Sequence, residues 1–212
     1  VTQSQIDEKR GYNFSNGLRA ILRQDPDVVM IGEIRDLETA ETSAQAALTG
    51  HVLLSTLHTN SAIESIPRLI NMGLPPFMVA PSLDTIIAQR LVRKVCKKCV
   101  TMEAITDAAK KEFEDMMNNL KNNNLGVDFK IPEKISQAHG CDECSQTGYS
   151  GRMVIVEMIT INETIKGLIL NNASLVDLIA AARKGGMTTM REDGFMKVAQ
   201  GFTTLEEVYR VT

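Results

Sequence analysis

Two groups of residues in the chain have types and spacings that could do chemistry. The first is acidic and imidazole-bearing. In DPDVVMIGEIRD, Asp25 to Asp36, a carboxylate at Glu33 follows the apolar run Val28-Val29-Met30-Ile31 and Gly32. A carboxylate at the exit of a buried strand of an α/β nucleotide enzyme faces the ligand crevice, where it can hold a metal-bound water or take its proton. Some twenty residues on, GHVLLSTLHTNSA places His51 and His58 at opposite ends of a second apolar run, with Ser55, Thr56 and Thr59 beside its exit. If the two runs are parallel strands, His58 shares the sheet edge with Glu33, and His51, at the strand's start, is structural or lies at a subunit boundary. The plainer alternatives are a solvated acid at a strand end and a histidine that only makes structural hydrogen bonds.

The second group is the set of four cysteines, all in Cys-x-x-Cys pairs: Cys96 with Cys99, and Cys141 with Cys144. Two such pairs can wrap one tetrahedral ion, and four thiolates with no open position indicate structural zinc. Redox dithiols and unpaired buried cysteines are the competing readings, though no active-site strand and turn precede either pair. Lys94, Lys97 and Lys98 would offset thiolate charge, and His139 is expected to be exposed rather than a ligand.

The elements that position these groups follow from patterning. Ser15 can cap a helix running to about Arg23. The runs at Val28–Ile31 and Val52–Leu57 read as strands buried on both faces, joined by a helix near 37–48 that Gly50 ends. Strand, helix, strand over about thirty residues is a crossover unit. Ser61 with Glu64 forms a capping-box pattern for a helix reaching Met72. A long amphipathic stretch from about Pro81 to Val95 leads into the first cysteine pair, and Arg90 and Arg93 are read as lying on helix there.

Residues 100–140 change character: a charged, methionine-rich helix near 105–120 precedes a polar run that ends at Asn124. With too little apolar surface for a core of its own, this stretch is expected to be an excursion held at its base by metal. A strand from Met153 to Ile161 follows. Helices are expected near 163–170, 175–184 and 191–200, and a last one begins at Thr203 or Thr204 with Glu206 and Glu207 completing overlapping capping boxes. The expected division is 1–95, 96–144 and 145–212.

Composition narrows the class. The chain has 212 residues, is 43% apolar and 23% charged, and carries a formal charge of -3. No global basic field draws it toward nucleic acid, so protein and nucleotide partners are expected. No window approaches the roughly 20 unbroken apolar residues of a membrane-spanning helix. A cytoplasmic location follows as an expectation, as does a natural N-terminus upstream of Val1.

LRAILRQDPDVVMIGEIRD resembles the atypical Walker B region of the type II secretion and type IV pilus assembly ATPases, and TGHVLLSTLHTNSA resembles their His box. The likeness continues through IIAQRLVRKVCKKC, GCDECSQTGYSGR and REDGFMKVAQGFTTLEEVYRVT. It implies an incomplete RecA-like P-loop NTPase core, α/β in class, with a zinc-clipped insertion and a C-terminal helical subdomain. Residue by residue, it implies that Glu33 polarises the attacking water and that His58 contacts the γ-phosphate. It places Gly32, Thr56 and Arg35 beside the nucleotide and makes Arg90 a residue to test for packing or phosphate sensing; Arg152 is held more loosely. Arg35 and Asp36 would position neighbouring elements. The cofactors implied are ATP with Mg²⁺ and structural zinc. The implied partners are further copies in a hexamer and an inner-membrane platform protein, with no direct nucleic acid and only peripheral membrane association.

One departure matters. No G-x-x-x-x-G-K-[ST] occurs: Gly185-Gly-Met-Thr188 and Gly201-Phe-Thr-Thr204 both lack the lysine. Without that cradle the 212 residues alone are expected to be inactive. A non-catalytic zinc-stabilised interaction module and a nucleic-acid motor of similar core are the alternatives.

Overall fold

The computed structural model describes residues 2–123, 125 and 129–212. Asn124, the end of the expected polar run, lies outside them. The chain forms two compact units, one of Val1–Ile86 with Thr160–Ala182, the other of Ile87–Ile159 with Arg183–Thr212.

In the first unit α1 (Phe14–Leu22) is capped by Asn13, whose side chain accepts from the Asn16 amide at 2.8 Å. The expected cap, Ser15, lies inside the helix and is buried, 3.3 Å from the Thr42 hydroxyl of α2 (Leu37–Leu48). The cap falls two residues earlier because Asn13 is the last extended residue before the first turn. Asp25, in the left-handed region at φ 52°, turns the chain into Pro26 and β1 (Val28–Met30).

Strand β1 runs parallel to β2 (Val52–Leu54), with Val28, Val29 and Met30 opposite Val52, Leu53 and Leu54. Helix α2 is the crossover, over the residues expected. The double-sided burial expected for both strands does not hold. Val29 packs with Ile31 and with Leu18 of α1, whereas Val28, Met30, Val52 and Leu54 are each more than half exposed. Strand side chains alternate between faces, and α1 covers only one face of this pair. β2 is also shorter than the apolar run that predicts it, ending at Leu54.

Helix α3 (Ser65–Asn71) begins later than the Ser61–Glu64 pattern predicts. Glu64 occupies the cap position without capping the helix, and its carboxylate accepts from the Asn60 amide instead. Gly73, at φ 107°, turns the chain where a Cβ would meet Leu37 at 3.1 Å. Three helices complete the unit: α4 (Pro76–Ser82), α6 (Glu163–Leu170) and the first part of α7 (Leu175–Lys184).

In the second unit a two-stranded ribbon pairs β3 (Thr85–Val95) with β6 (Tyr149–Thr160). Arg90 and Arg93 therefore lie on a strand, not a helix; alternating residues of β3 are the less exposed ones, a period of two. A smaller antiparallel pair joins β4 (Thr101–Ala104) to β5 (Lys134–Gln137) and brackets α5 (Asp107–Asn122).

Residues 100–140 have no core of their own, as expected, but they share one with later helices, which the sequence reading did not foresee. Ala109, Phe113, Met116 and Leu120, one stripe of α5, pack with Ile135 and with Phe195, Val198, Leu205 and Val208. These last four belong to α8 (Met190–Ala199) and α9 (Leu205–Val211). The Phe113 and Phe195 ring centroids are 4.8 Å apart. The segment lacks the apolar area to fold alone, and it gains that area from helices that arrive about eighty residues later in the chain. α9 is capped by Thr204, which accepts from the Glu207 amide. The reciprocal half of the expected box is missing because the Glu207 carboxylate is committed to Arg93 and Arg210.

Candidate functional site

The parallel register sets the acidic constellation. Ile31 donates to the Leu54 carbonyl at 2.9 Å, and Ile34 donates to the Thr56 carbonyl at 3.0 Å, so the ladder continues beyond both strands. The Thr56 hydroxyl closes it from the other side, donating to the Gly32 carbonyl at 2.7 Å. Downstream, Asp36 caps α2 by accepting from the Thr39 amide at 2.8 Å. The backbone of Gly32 to Asp36 is thus fastened at both ends, and Glu33 projects from it.

Both Glu33 oxygens are engaged. Arg35 Nη2 lies 2.6 Å from Oε1, and His58 Nε2 lies 3.0 Å from Oε2. The Arg35 hydrogen bond, with a smaller contribution from His58, outweighs the burial that opposes ionisation and holds the carboxyl below its usual range. A carboxylate only accepts, so His58 donates to Glu33 through Nε2. Glu33, Arg35, His58, Gly32 and Thr56 are therefore brought together at one sheet edge. His51, at the other end of β2, bonds through Nδ1 to the Ala46 carbonyl and the Thr49 hydroxyl and belongs to the end of α2. Arg90, on β3, and Arg152, on β6, belong to the other unit.

The four cysteines converge although residues 100–140 separate the pairs. All four Sγ atoms lie within 4.8 Å of one another. Three of the separations are 3.6 Å (Cys141 to Cys144), 3.8 Å (Cys99 to Cys144) and 3.9 Å (Cys96 to Cys141). Sulfurs about 2.3 Å from a common tetrahedral centre would be separated by ~3.8 Å, so the set fits zinc. All four thiols are free of disulfides.

Local backbone builds this cage. The Cys144 sulfur accepts from the amides of Cys141 at 3.3 Å and Gly148 at 3.2 Å. Burial pushes this thiol up, but those two amides and the neighbouring thiols bring it down to about 6. Cys99, by contrast, is pushed up to about 12 by burial and by the other three cysteines. Ser145 and Gln146 both take left-handed backbone to turn the chain inside the knuckle. Gly148 has no substitute: φ is 77°, and a Cβ would lie 2.3 Å from the His139 carbonyl oxygen. The Gly148 carbonyl accepts from the Cys96 amide at 2.9 Å, tying one pair to the other.

The Lys98 ammonium pairs with Glu143, between Cys141 and Cys144, at 2.5 Å. His139 is half exposed, with its ring against Thr101, and is not in the set. Sequence reasoning missed the part Gly148 plays, because a glycine in a polar turn gives no sign that a carbonyl sits where its side chain would be. It also missed Asp36 as a cap, which the Asp-Leu-Glu-Thr start of an alanine-rich helix could have revealed.

The chain is thus an α/β protein with a parallel strand pair whose exits carry Glu, Arg, Thr and His, and with a four-sulfur knuckle. The Type II/IV secretion system protein family matches residues 1–210, and the chain belongs to that family. It is 47% identical over its full 212 residues to type II secretion system protein E of Pseudomonas aeruginosa, and 44% identical to the type IV pilus assembly ATPase PilB of the same organism. It spans 40% and 36% of those relatives' lengths. Among solved structures, the pilus retraction motor PilT with bound ADP superposes with a TM-score of 0.62 at 28% identity, over 94% of this chain and 43% of PilT. The Legionella pneumophila ATPase DotB shares the fold, with a TM-score of 0.61 at 22% identity over 98% of this chain and 44% of DotB. Among the described residues no helix is long and apolar enough to cross a membrane.

Proposed function

We propose that the chain is the Walker B and His-box part of an ATP-hydrolysing motor subunit that powers type II protein secretion or type IV pilus assembly. The observation that carries this reading is the 3.0 Å contact between His58 and Glu33 across the exits of two parallel strands. That arrangement suits the γ-phosphate end of a nucleotide: an acceptor for the attacking water, with an imidazole and a guanidinium beside it.

Bound ATP supplies the phosphoryl group, and Mg²⁺ neutralises its oxygens. Glu33 would orient the water and hold its proton. His58 would contact the terminal phosphate through a ring nitrogen. The backbone of Gly32, pinned by Thr56, would set the distance between them, and Arg35 would meet phosphate oxygens. Arg90 stays in the proposal as a residue to test for packing or phosphate sensing. The remaining phosphate-binding parts would come from sequence beyond these 212 residues, which by themselves would be inactive. The division 1–95, 96–144 and 145–212 would then correspond to motor core, zinc-held insertion and a C-terminal strand plus helical subdomain.

The intact subunit would work as a hexamer in the cytoplasm, peripheral to the inner membrane through a platform protein. The four cysteines would carry a structural zinc that fixes the start of β6 to the end of β3. Steady-state ATP turnover of the intact protein with Glu33→Gln tests the reading. Loss of turnover is expected, and wild-type turnover would remove Glu33 from this role. The second reading, a zinc-stabilised interaction module without catalysis, is favoured by the absence of G-x-x-x-x-G-K-[ST] from the chain and would be sustained by an intact protein that binds no ATP.

A further inference from the structure

A carboxylate that activates water needs an open lone pair and enough basicity to hold a proton. Glu33 keeps lone pairs in the state seen here, but a donor on each oxygen fixes its orientation and lowers its basicity. Arg35 occupies Oε1, His58 occupies Oε2, and the Arg35 contact weakens the carboxylate as a base.

The backbone offers little freedom to change this. The chain is tied to the neighbouring strand at Ile31, Gly32 and Ile34 and to the start of α2 at Asp36. The side chains do have that freedom. Arg35 is 66% exposed against 21% for Glu33, so its guanidinium can rotate into solvent without disturbing any packed group. A phosphate presents oxygens at the same spacing as a carboxylate, and a planar guanidinium bonds either one through two parallel N–H groups.

We propose that Arg35 is a positioning residue that exchanges partners, holding Glu33 closed until a phosphate of the bound nucleotide takes its guanidinium. Water activation then proceeds only from the exchanged state, which couples the base to an occupied site. This rests on the reading of Glu33 given above. Among the described residues, the charged and titratable groups facing Glu33 are Arg35 from its own turn and His58 from the segment after β2. The nearby Arg19 of α1 is held by Glu38 of α2 at 3.1 Å, and Asp36 is spent on its cap.

The test is the pH dependence of ATP turnover by the intact protein with Arg35→Gln, Arg35→Lys and Glu33→Gln. Arg35→Gln loses the phosphate contact, so KM for ATP rises roughly tenfold or more. It also releases Glu33 from the arginine's charge, so the acid limb of kcat/KM moves to higher pH. Arg35→Lys keeps the charge and loses the planar fork; its acid limb stays near wild type while KM is only partly restored. An unchanged KM or an unmoved acid limb in Arg35→Gln overturns the exchange, as does a fall in turnover that shows neither shift. Wild-type turnover in Glu33→Gln instead overturns the underlying reading, so the two failures are distinguishable. Should Arg35→Gln fail to fold, the carbon-13 signal of the Glu33 carboxyl in the wild-type protein decides. A non-hydrolysable ATP analogue shifts it toward a free carboxylate, and no movement at saturation overturns the proposal.

Discussion

Replacing Glu207 with Gln removes the charge from a side chain that is only 1% exposed yet accepts four hydrogen bonds. Two come from Arg93, its backbone amide at 3.0 Å and its Nη2 at 2.5 Å, and two from Arg210, Nε at 2.9 Å and Nη2 at 2.8 Å. Burial opposes ionisation of this carboxyl, but the bonds from Arg210 and Arg93 outweigh it and bring the pKa from 4.5 down to about 2. Such a shift corresponds to about 3 kcal/mol. Arg93 and Arg210 are 44% and 52% exposed, so solvent screening reduces the contribution to ~2 kcal/mol.

The sign follows from the direction of the shift. A depressed carboxyl stabilises the fold fully above its unfolded value of 4.5, and the contribution disappears as pH falls toward about 2. Urea unfolding followed by tyrosine fluorescence and far-ultraviolet circular dichroism should place the Glu207→Gln midpoint about 1 M below wild type at neutral pH. The gap should narrow as pH is lowered through the acid range. Acid also weakens thiolate ligation, but it does so in both proteins, so the difference isolates Glu207. Equal midpoints at neutral pH, or a gap that does not depend on pH, would refute the claim that this ion pair fastens α9 to β3.

Cys96→Ser should reduce zinc by elemental analysis from about one per chain to well below that and lower the melting temperature, with a chelator producing the same loss in wild type; unchanged metal content would count against the four-sulfur site. Phe113→Ala should cost ~3–5 kcal/mol in urea unfolding, since the ring is fully buried against Phe195; a cost below ~1 kcal/mol would mean that α5 is not part of a shared core. Asp36→Ala should cost about 1 kcal/mol and speed amide exchange in the first turn of α2, with Asp36→Asn recovering most of it. Exchange rates unaffected by the alanine would show that the cap contributes nothing.

Short-range rules made much of the molecule legible. Helix α2 ends where Gly50 and the alanine-rich pattern say it should, α6 and α7 fall on the residues read from helical spacing, and the cysteine spacing alone indicates a four-sulfur set. The Glu33–His58 juxtaposition was also readable, because a crossover unit implies parallel strands and parallel strands put both exits at one edge. The caps were harder. Ser15 and Thr203 fit a motif as well as Asn13 and Thr204, which took the positions, and a motif cannot say which residue is the last extended one before the turn.

Chemical type and local spacing are thus what the sequence by itself determined: which residues can ligate, accept or donate, and which stretches are helical. Tertiary structure decided how they are spent. It gave α5 a core by bringing α8 and α9 against Phe113, left one face of β1 and β2 uncovered, and committed Glu207 to Arg93 and Arg210 rather than to the cap of its own helix. It also set Arg35 on Glu33. These outcomes depend on which distant surfaces meet and on which of several equivalent donors arrives first in space, and pairing energies of that kind are not written in the order of residues along a chain.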